Sequence, residues 1–260
     1  MNYSRFYLFH IQFLGYRYHG WLQHRDMKTV QGMINKTCAF IFGHHQFKTL
    51  GCSRTDAKVS AEHFVFELFC HEQLEKDATI KLFNKNLPND IRLLNLEETD
   101  QTFNLIQAVE QKEYRYLFAH GIKNHPFAAS SVMSIDEPLD IEMMQQGCTL
   151  FVGEHNFRRY CAEPRPGKNY VRHVEQCSIE PNTTYHADFF PDETWFFNVI
   201  AKGFLRYQVR LMMGQLIALG KGKITLDELK KTMDGESEIP VREIAPSSGL
   251  ILFNVKLRTR

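Results

Sequence analysis

Residues 5–14 read RFYLFHIQFL, and their alternation decides the fold class. Tyr7, Phe9, Ile11 and Phe13 fall on one side of a period of two, against Phe6, Leu8, His10 and Gln12 on the other. One face is therefore more apolar than its opposite, as in a strand with one face in the core. Beyond the loop GYRYHGWLQHRDMK (15–28) the period changes: Val30, Met33, Ile34, Thr37, Cys38 and Ile41 recur at helical spacing, which predicts an amphipathic helix over 29–42. Next come a strand at HFVFELFC (63–70), a helix near 77–86, a turn marked by Pro88 leading into a strand at about 90–98, and a strand within QAVEQKEYRYLFAHG (107–121). The order strand, helix, strand, helix, strand, strand argues α+β.

The second half repeats this theme. Ile141, Met144, Cys148 and Phe151 mark a helix, strands follow at about 170–180 and 194–201, and FLRYQVRLMMGQLIAL (204–219) reads as a long helix. We expect two similar α+β lobes, residues 1–125 and 126–260, sharing a mixed, mainly antiparallel sheet with helices on one side and an active-site cleft between the lobes. CAEPRPGKNYVRH (161–173) carries two Pro, one Gly and four basic residues and reads as a basic surface loop. TLDE (225–228) has the form of a capping box, and the basic KKTMDGE (230–236) reads as a helix end.

With 43% hydrophobic residues, 260 residues are ample for a substantial core. Thirty-one Lys and Arg against 30 Asp and Glu leave a net charge of +1, so a polyanion partner requires a local concentration of positive charge. Six scattered Cys without a C-x-x-C pair, and an N-terminus without signal-peptide form, predict reduced thiols and a cytoplasmic location. No apolar run reaches the ~18–20 residues needed to cross a bilayer. The 12 His lack metal-ligand spacing, so no metal is expected.

Within GCSRTDAKVSA (51–61) a guanidinium, a hydroxyl and a carboxylate stand in a row between near-apolar flanks. Asp56 has two readings. It is a turn residue neutralised by Arg54, or a carboxylate held partly out of water, the arrangement that makes a nucleophile or general base. Three further stretches bear on the choice: GYRYHGWLQH with TVQGMI near the N-terminus, KEYRY with two Tyr on one strand face, and GFLRYQVRLMMGQLIALGKG, which places Arg210 among apolar neighbours.

Taken together, in this order and spacing, these stretches resemble the TruA-type tRNA pseudouridine synthases. The similarity runs from the aromatic segment with Gln23 and Gln31, through LPNDI and FVGEHNF, to APSSGLILFNV near the end. The resemblance implies an isomerase that turns uridine into pseudouridine in tRNA, in the anticodon stem-loop region, with no metal or organic cofactor and commonly as a homodimer. It implies that Asp56 is the catalytic Asp, that Tyr114 stacks on the uracil, and that Arg210 pairs with the carboxylate. Arg54, of the same loop, would support the extruded nucleotide. Arg17, Lys58, Arg165, Lys168, Arg172 and Lys202 are candidate RNA contacts, each with the alternative of a solvated charge; Tyr116 and Trp21 have core filling as theirs.

The chain also departs from the family's pattern. Lys58 stands where Gly is usual, Ser60 where His is, Ile106 in the place of a basic residue, and Asn156 in the place of Asp. These changes bear on substrate choice. They keep open a catalytically quiet or retargeted RNA-binding paralogue. A retaining glycosidase would need a second carboxylate about 5 Å from the first, and no acid in these stretches has comparable surroundings.

Overall fold

The computed structural model describes residues 3–233, 241 and 243–258. In chain order the elements are β1 (Arg5–Phe13), α1 (Val30–Phe42), β2 (Lys48–Gly51), β3 (Ser60–Cys70), α2 (Lys76–Asn86), β4 (Ile91–Thr99), α3 (Leu105–Ala108) and β5 (Val109–His120). There follow β6 (Met133–Ile135), α4 (Ile141–Phe151), β7 (Gly153–Asn156), β8 (Val171–Pro181), β9 (Trp195–Ala201), α5 (Gln208–Gly220), α6 (Leu226–Lys231) and β10 (Leu250–Leu257). The fold is α+β, with mainly antiparallel strand pairs and a parallel pair of β5 with β6. No helix among the described residues is long and apolar enough to cross a membrane.

The chain forms two compact units, residues 1–110 with 252–260, and residues 111–251. The division differs from a cut at 125. From Lys112 onward β5 is committed to pairing with β9, and the last strand returns to the first unit, so the second unit, most of β5 included, is inserted between α3 and β10.

In the first unit β1 pairs antiparallel with β3 on one side and β4 on the other, and β2 adds to β3. The alternation of residues 5–14 is realised as two unlike faces. Phe9 stacks on Phe66 at 4.9 Å and meets Phe83 of α2 at 5.2 Å, while Trp21 stacks on Phe64 at 4.2 Å. These rings are fully buried, each contributing about 1.5–3 kcal/mol of transfer free energy. Trp21 is thus a core residue, and Gly51 is required beneath it, because a Cβ there would come within 2.5 Å of the indole nitrogen. The opposite face carries polar groups: His10 Nδ1 lies 2.8 Å from His63 Nε2, and His63 Nδ1 2.8 Å from Asn254 Oδ1. α1 starts at Thr29, whose hydroxyl accepts from Gly32 N, and stops at Gly43, where φ is +75°.

In the second unit β5, β9, β8 and β7 pair in that order, all antiparallel. α4 packs on β8 and α5, with Gly147 so close that a Cβ would lie 2.5 Å from a methyl of Leu219. The helix expected over 204–219 begins later, at Gln208, because Tyr207 at its N-cap has φ +65° and residues 204–206 cannot join the same spiral. α6 opens with the anticipated capping box at Thr225 and Glu228. The helix end anticipated over 230–236 lies outside the described residues from 234 onward.

Candidate active site

Asp56 sits on the loop between β2 and β3, and residues 14–21 form a strap against that loop. Three hydrogen bonds and two close glycine approaches tie the two. Trp21 N donates to Thr55 O at 3.3 Å, Lys58 N to Tyr18 O at 2.9 Å, and Gly15 N to Ser60 Oγ at 2.9 Å. The glycine approaches are steric: a Cβ on Gly15 would lie 1.9 Å from Val59 O, and one on Gly20 would lie 2.3 Å from Thr55 O, so only glycine permits them. Val59 N closes a turn onto Asp56 O at 3.3 Å.

Departures in the loop have physical consequences. Lys58 has φ +67°, a conformation that suits Gly and costs an L-residue about 1–2 kcal/mol. Its ammonium lies 5.5 Å from the centroid of the Tyr16 ring, a cation–π contact Gly could not make. Ser60, in the place of His, is the acceptor for Gly15 N and thereby ties strap to strand.

The strap is itself held from the other side. Gln31 Nε2 donates to Thr49 O and Thr49 Oγ1, and its Oε1 accepts from Gln23 N. Asp90 receives the Tyr18 hydroxyl at 2.6 Å on one oxygen and the Arg17 guanidinium at 2.8 and 2.6 Å on the other. Burial, with Asp90 beside it, pushes the Tyr18 phenol well above its ordinary value, so Tyr18 stays protonated and a donor. By sequence Asp90 stands where the Pro-marked turn enters the strand expected at about 90–98. Nothing in its local pattern announces a partner 72 positions away.

In the second unit Tyr114 lies on β5 opposite Val199, its side chain nearly buried and edge-on to Phe204 with ring centroids 5.3 Å apart. Tyr116 is fully buried, and its hydroxyl donates to Pro246 O; it fills the core. Arg210 is the one residue of α5 that is not buried. Its Nε donates to Ala245 O at 2.7 Å, Ala245 N returns a bond to Arg210 O at 3.1 Å, and its guanidinium lies 4.7 Å from the Tyr207 ring centroid. The 243–245 segment can lie there only because α5 has Gly214, where a Cβ would meet Glu243 O at 2.0 Å.

Of the candidate RNA contacts, Arg54, Lys58, Arg165, Lys168 and Lys202 are exposed. Arg172 is half-buried and donates to the carbonyls of Asn169 and Val171. Arg17 is exposed at its rim but committed to Asp90. Asn156 caps the short turn after β7 by accepting from Arg158 N, a role Asp fills equally well. Ile106 is exposed on α3.

A family profile described as tRNA pseudouridine synthase matches residues 148–257. A protein of Methylacidiphilum infernorum named tRNA pseudouridine synthase A is 31% identical over 248 residues, covering 94% of this chain and 92% of its own. The chain belongs to the tRNA pseudouridine synthase A family. Proteins of the same name from Thermodesulfovibrio yellowstonii and Acetivibrio thermocellus are 30% and 28% identical, each over 94% of this chain and 96% of its own. Membership makes the protein an isomerase. Among solved structures, a chain from a Cbf5-Nop10-Gar1 complex is matched over 82% of this chain and 45% of that one, at a TM-score of 0.32 and 16% identity. Among the described residues no group of three His, Cys, Asp or Glu could hold a metal ion.

Proposed function

We propose that the protein isomerises uridine to pseudouridine in the anticodon stem-loop region of tRNA, with Asp56 as the catalytic carboxylate. The observation that carries this reading is the loop of Asp56, fixed to the strap at three hydrogen bonds and two glycine contacts within a chain that aligns with its relatives almost end to end. A carboxylate meant only to cap a turn does not need so rigid a setting.

The reaction breaks the N1–C1′ bond of uridine and forms a C1′–C5 bond, after which C5 gives up its proton. Atoms balance without a cofactor. An ionised Asp56 serves either by adding to C1′, which becomes electron-poor as the base leaves, or by taking a ribose proton. Tyr114, whose buried ring is already set against Phe204, is assigned to stack on the uracil, with its hydroxyl near the C5 proton. Arg210, oriented by Ala245 O and Tyr207, is assigned to keep the carboxylate charged. We assign RNA contact to the exposed Arg54, Lys58, Arg165, Lys168 and Lys202, with a contribution from Arg172. We further propose a homodimer acting in the cytoplasm.

Tritium release from tRNA labelled at uracil C5, followed by mapping of the modified position, reads activity and substrate together. Asp56→Asn keeps the size and loses the charge. The variant should bind tRNA within about twofold of wild type and release no tritium above background. Activity within about tenfold of wild type, or 1.4 kcal/mol of barrier, would remove Asp56 from the role.

A further inference from the structure

We propose that Asp90 is a positioning residue for catalysis, holding the Asp56 loop in place through Tyr18 and Arg17; the proposal rests on Asp56 being the catalytic carboxylate. Asp90 sits in the turn just before β4, 34 positions from Asp56 in sequence, and its side chain is only 10% exposed. It grips the strap at three points. Its backbone oxygen accepts from Leu14 N at 2.9 Å, one carboxylate oxygen accepts from the Tyr18 hydroxyl, and the other takes two guanidinium nitrogens of Arg17. The pair to Arg17 is a charge-assisted hydrogen bond in which Nε and a terminal nitrogen share one carboxylate oxygen, and the carboxylate is mostly shielded from solvent.

From the strap the restraint passes on. Tyr18 is fully buried, so its ring cannot swing, and the carbonyl of the same residue accepts from Lys58 N, two positions after Asp56. That bond holds the residue with φ +67° in the conformation it would otherwise leave. The strap's other end, Gly15, abuts Val59 and bonds to Ser60, so the loop is held on the C-terminal side of Asp56 by both ends of a segment that Asp90 anchors. Thr55, on the other side, is bonded to Trp21, just beyond the strap's turn. The arrangement gives Asp90 leverage on the Asp56 backbone from both directions without contact with any reacting atom. It also explains why Arg17, a candidate phosphate contact by sequence, turns its Nε and one terminal nitrogen inward.

The test uses Asp90→Asn, which retains shape and an acceptor for Tyr18 while losing the ionic grip on Arg17, and Tyr18→Phe, which retains the ring and removes the hydroxyl. Each is assayed by single-turnover tritium release from labelled tRNA, with enzyme in excess and its concentration varied to saturation, well below its melting temperature. Both should lower the maximal rate roughly ten- to hundredfold while the half-saturating enzyme concentration stays within about twofold, because misplacement of the carboxylate affects chemistry more than RNA binding. The double variant should be no slower than the slower single one, since both act along one chain of contacts. Deuterium uptake over 53–60 should rise in both singles and be unchanged over α5. Full rates in folded Asp90→Asn and Tyr18→Phe, or a lower melting temperature with no change in maximal rate or in uptake at 53–60, would overturn the proposal. An Asp90→Asn chain that fails to fold leaves Tyr18→Phe to decide by the same criteria. The two readings fail differently: active Asp56→Asn protein sinks the catalytic assignment itself, whereas inactive Asp56→Asn beside fully active Asp90→Asn and Tyr18→Phe sinks this inference alone.

Discussion

Lys58 joins an unfavourable backbone to a favourable side-chain contact. Its φ of +67° is the conformation in which glycine is at home, and its ammonium sits over Tyr16. Replacing it by Ala removes the cation–π contact and keeps the strain; replacing it by Gly removes both, at the added cost of a more flexible unfolded chain. Lys58→Gly should therefore be more stable than Lys58→Ala by about 1 kcal/mol in urea unfolding. Equal stabilities would mean that the loop relaxes out of the left-handed region once the side chain is gone.

At the scale of an element, β3 has two faces that answer differently to pH. Phe64, Phe66 and Leu68 enter the aromatic core, whereas Glu67, on the other face, is 1% exposed with one carboxylate oxygen lacking any hydrogen bond among the described residues. Burial pushes its pKa up from 4.5 to about 7, against a smaller opposing pull from Lys48. The folded carboxyl thus stays protonated where the unfolded one is already ionised. Its contribution to stability is full below the unfolded value and is lost as pH rises from 4.5 through about 7. His10 across the same face works in the other sense. Burial first, and His63 beside it, hold it below 6.5 despite Glu97, so its contribution is full above 6.5 and is lost as pH falls through the folded value. Glu67→Gln should raise the melting temperature by several degrees at pH 8, corresponding to on the order of 2–3 kcal/mol, and by far less at pH 5. A shift of the same size at both values would show that packing, not ionisation, governs the site.

For the whole molecule, a net charge of +1 leaves no general attraction for RNA, so binding must come from placement. In the 161–173 loop the fold is carried by groups other than the basic side chains: Tyr170 is buried and its hydroxyl both receives Arg165 N and donates to Arg165 O, and Gly167 takes φ +72°. Arg165 enters that framework through its backbone alone, and Arg165 and Lys168 are both exposed. Changing both to Ala should weaken tRNA binding and reduce its log-salt slope by about one to two units, with the melting temperature nearly unchanged. A fall in stability with an unchanged slope would assign the two side chains to packing, and would move the RNA surface to residues 16–25.

By itself the sequence determined the strands and helices with strong periodicity, because a period of two or 3.6 is a local property. β1, α1, α2, β4, α4 and β9 lie within a residue or two of their sequence-based bounds. Local chemistry also marked Thr225 as a cap, and the loop of Asp56 together with Tyr114 and Arg210 was legible as a resemblance carried by short stretches. The tertiary structure alone decided what depends on residues far apart in the chain. Short β2, β6 and β7 exist only because a neighbouring strand offers its edge, and the start of α5 at 208 follows from the turn of Tyr207 against Arg206 and Arg210. The division at 110, with the last strand returning to the first unit, comes from pairing that no window of sequence contains. Asp90 gives the same lesson at a single residue: a carboxylate in a Pro-marked turn looks like a turn residue until the fold brings Arg17 and Tyr18 onto it. Hydrophobic period is written in neighbours along the chain, whereas the partner of a buried charge is chosen by the topology that delivers it.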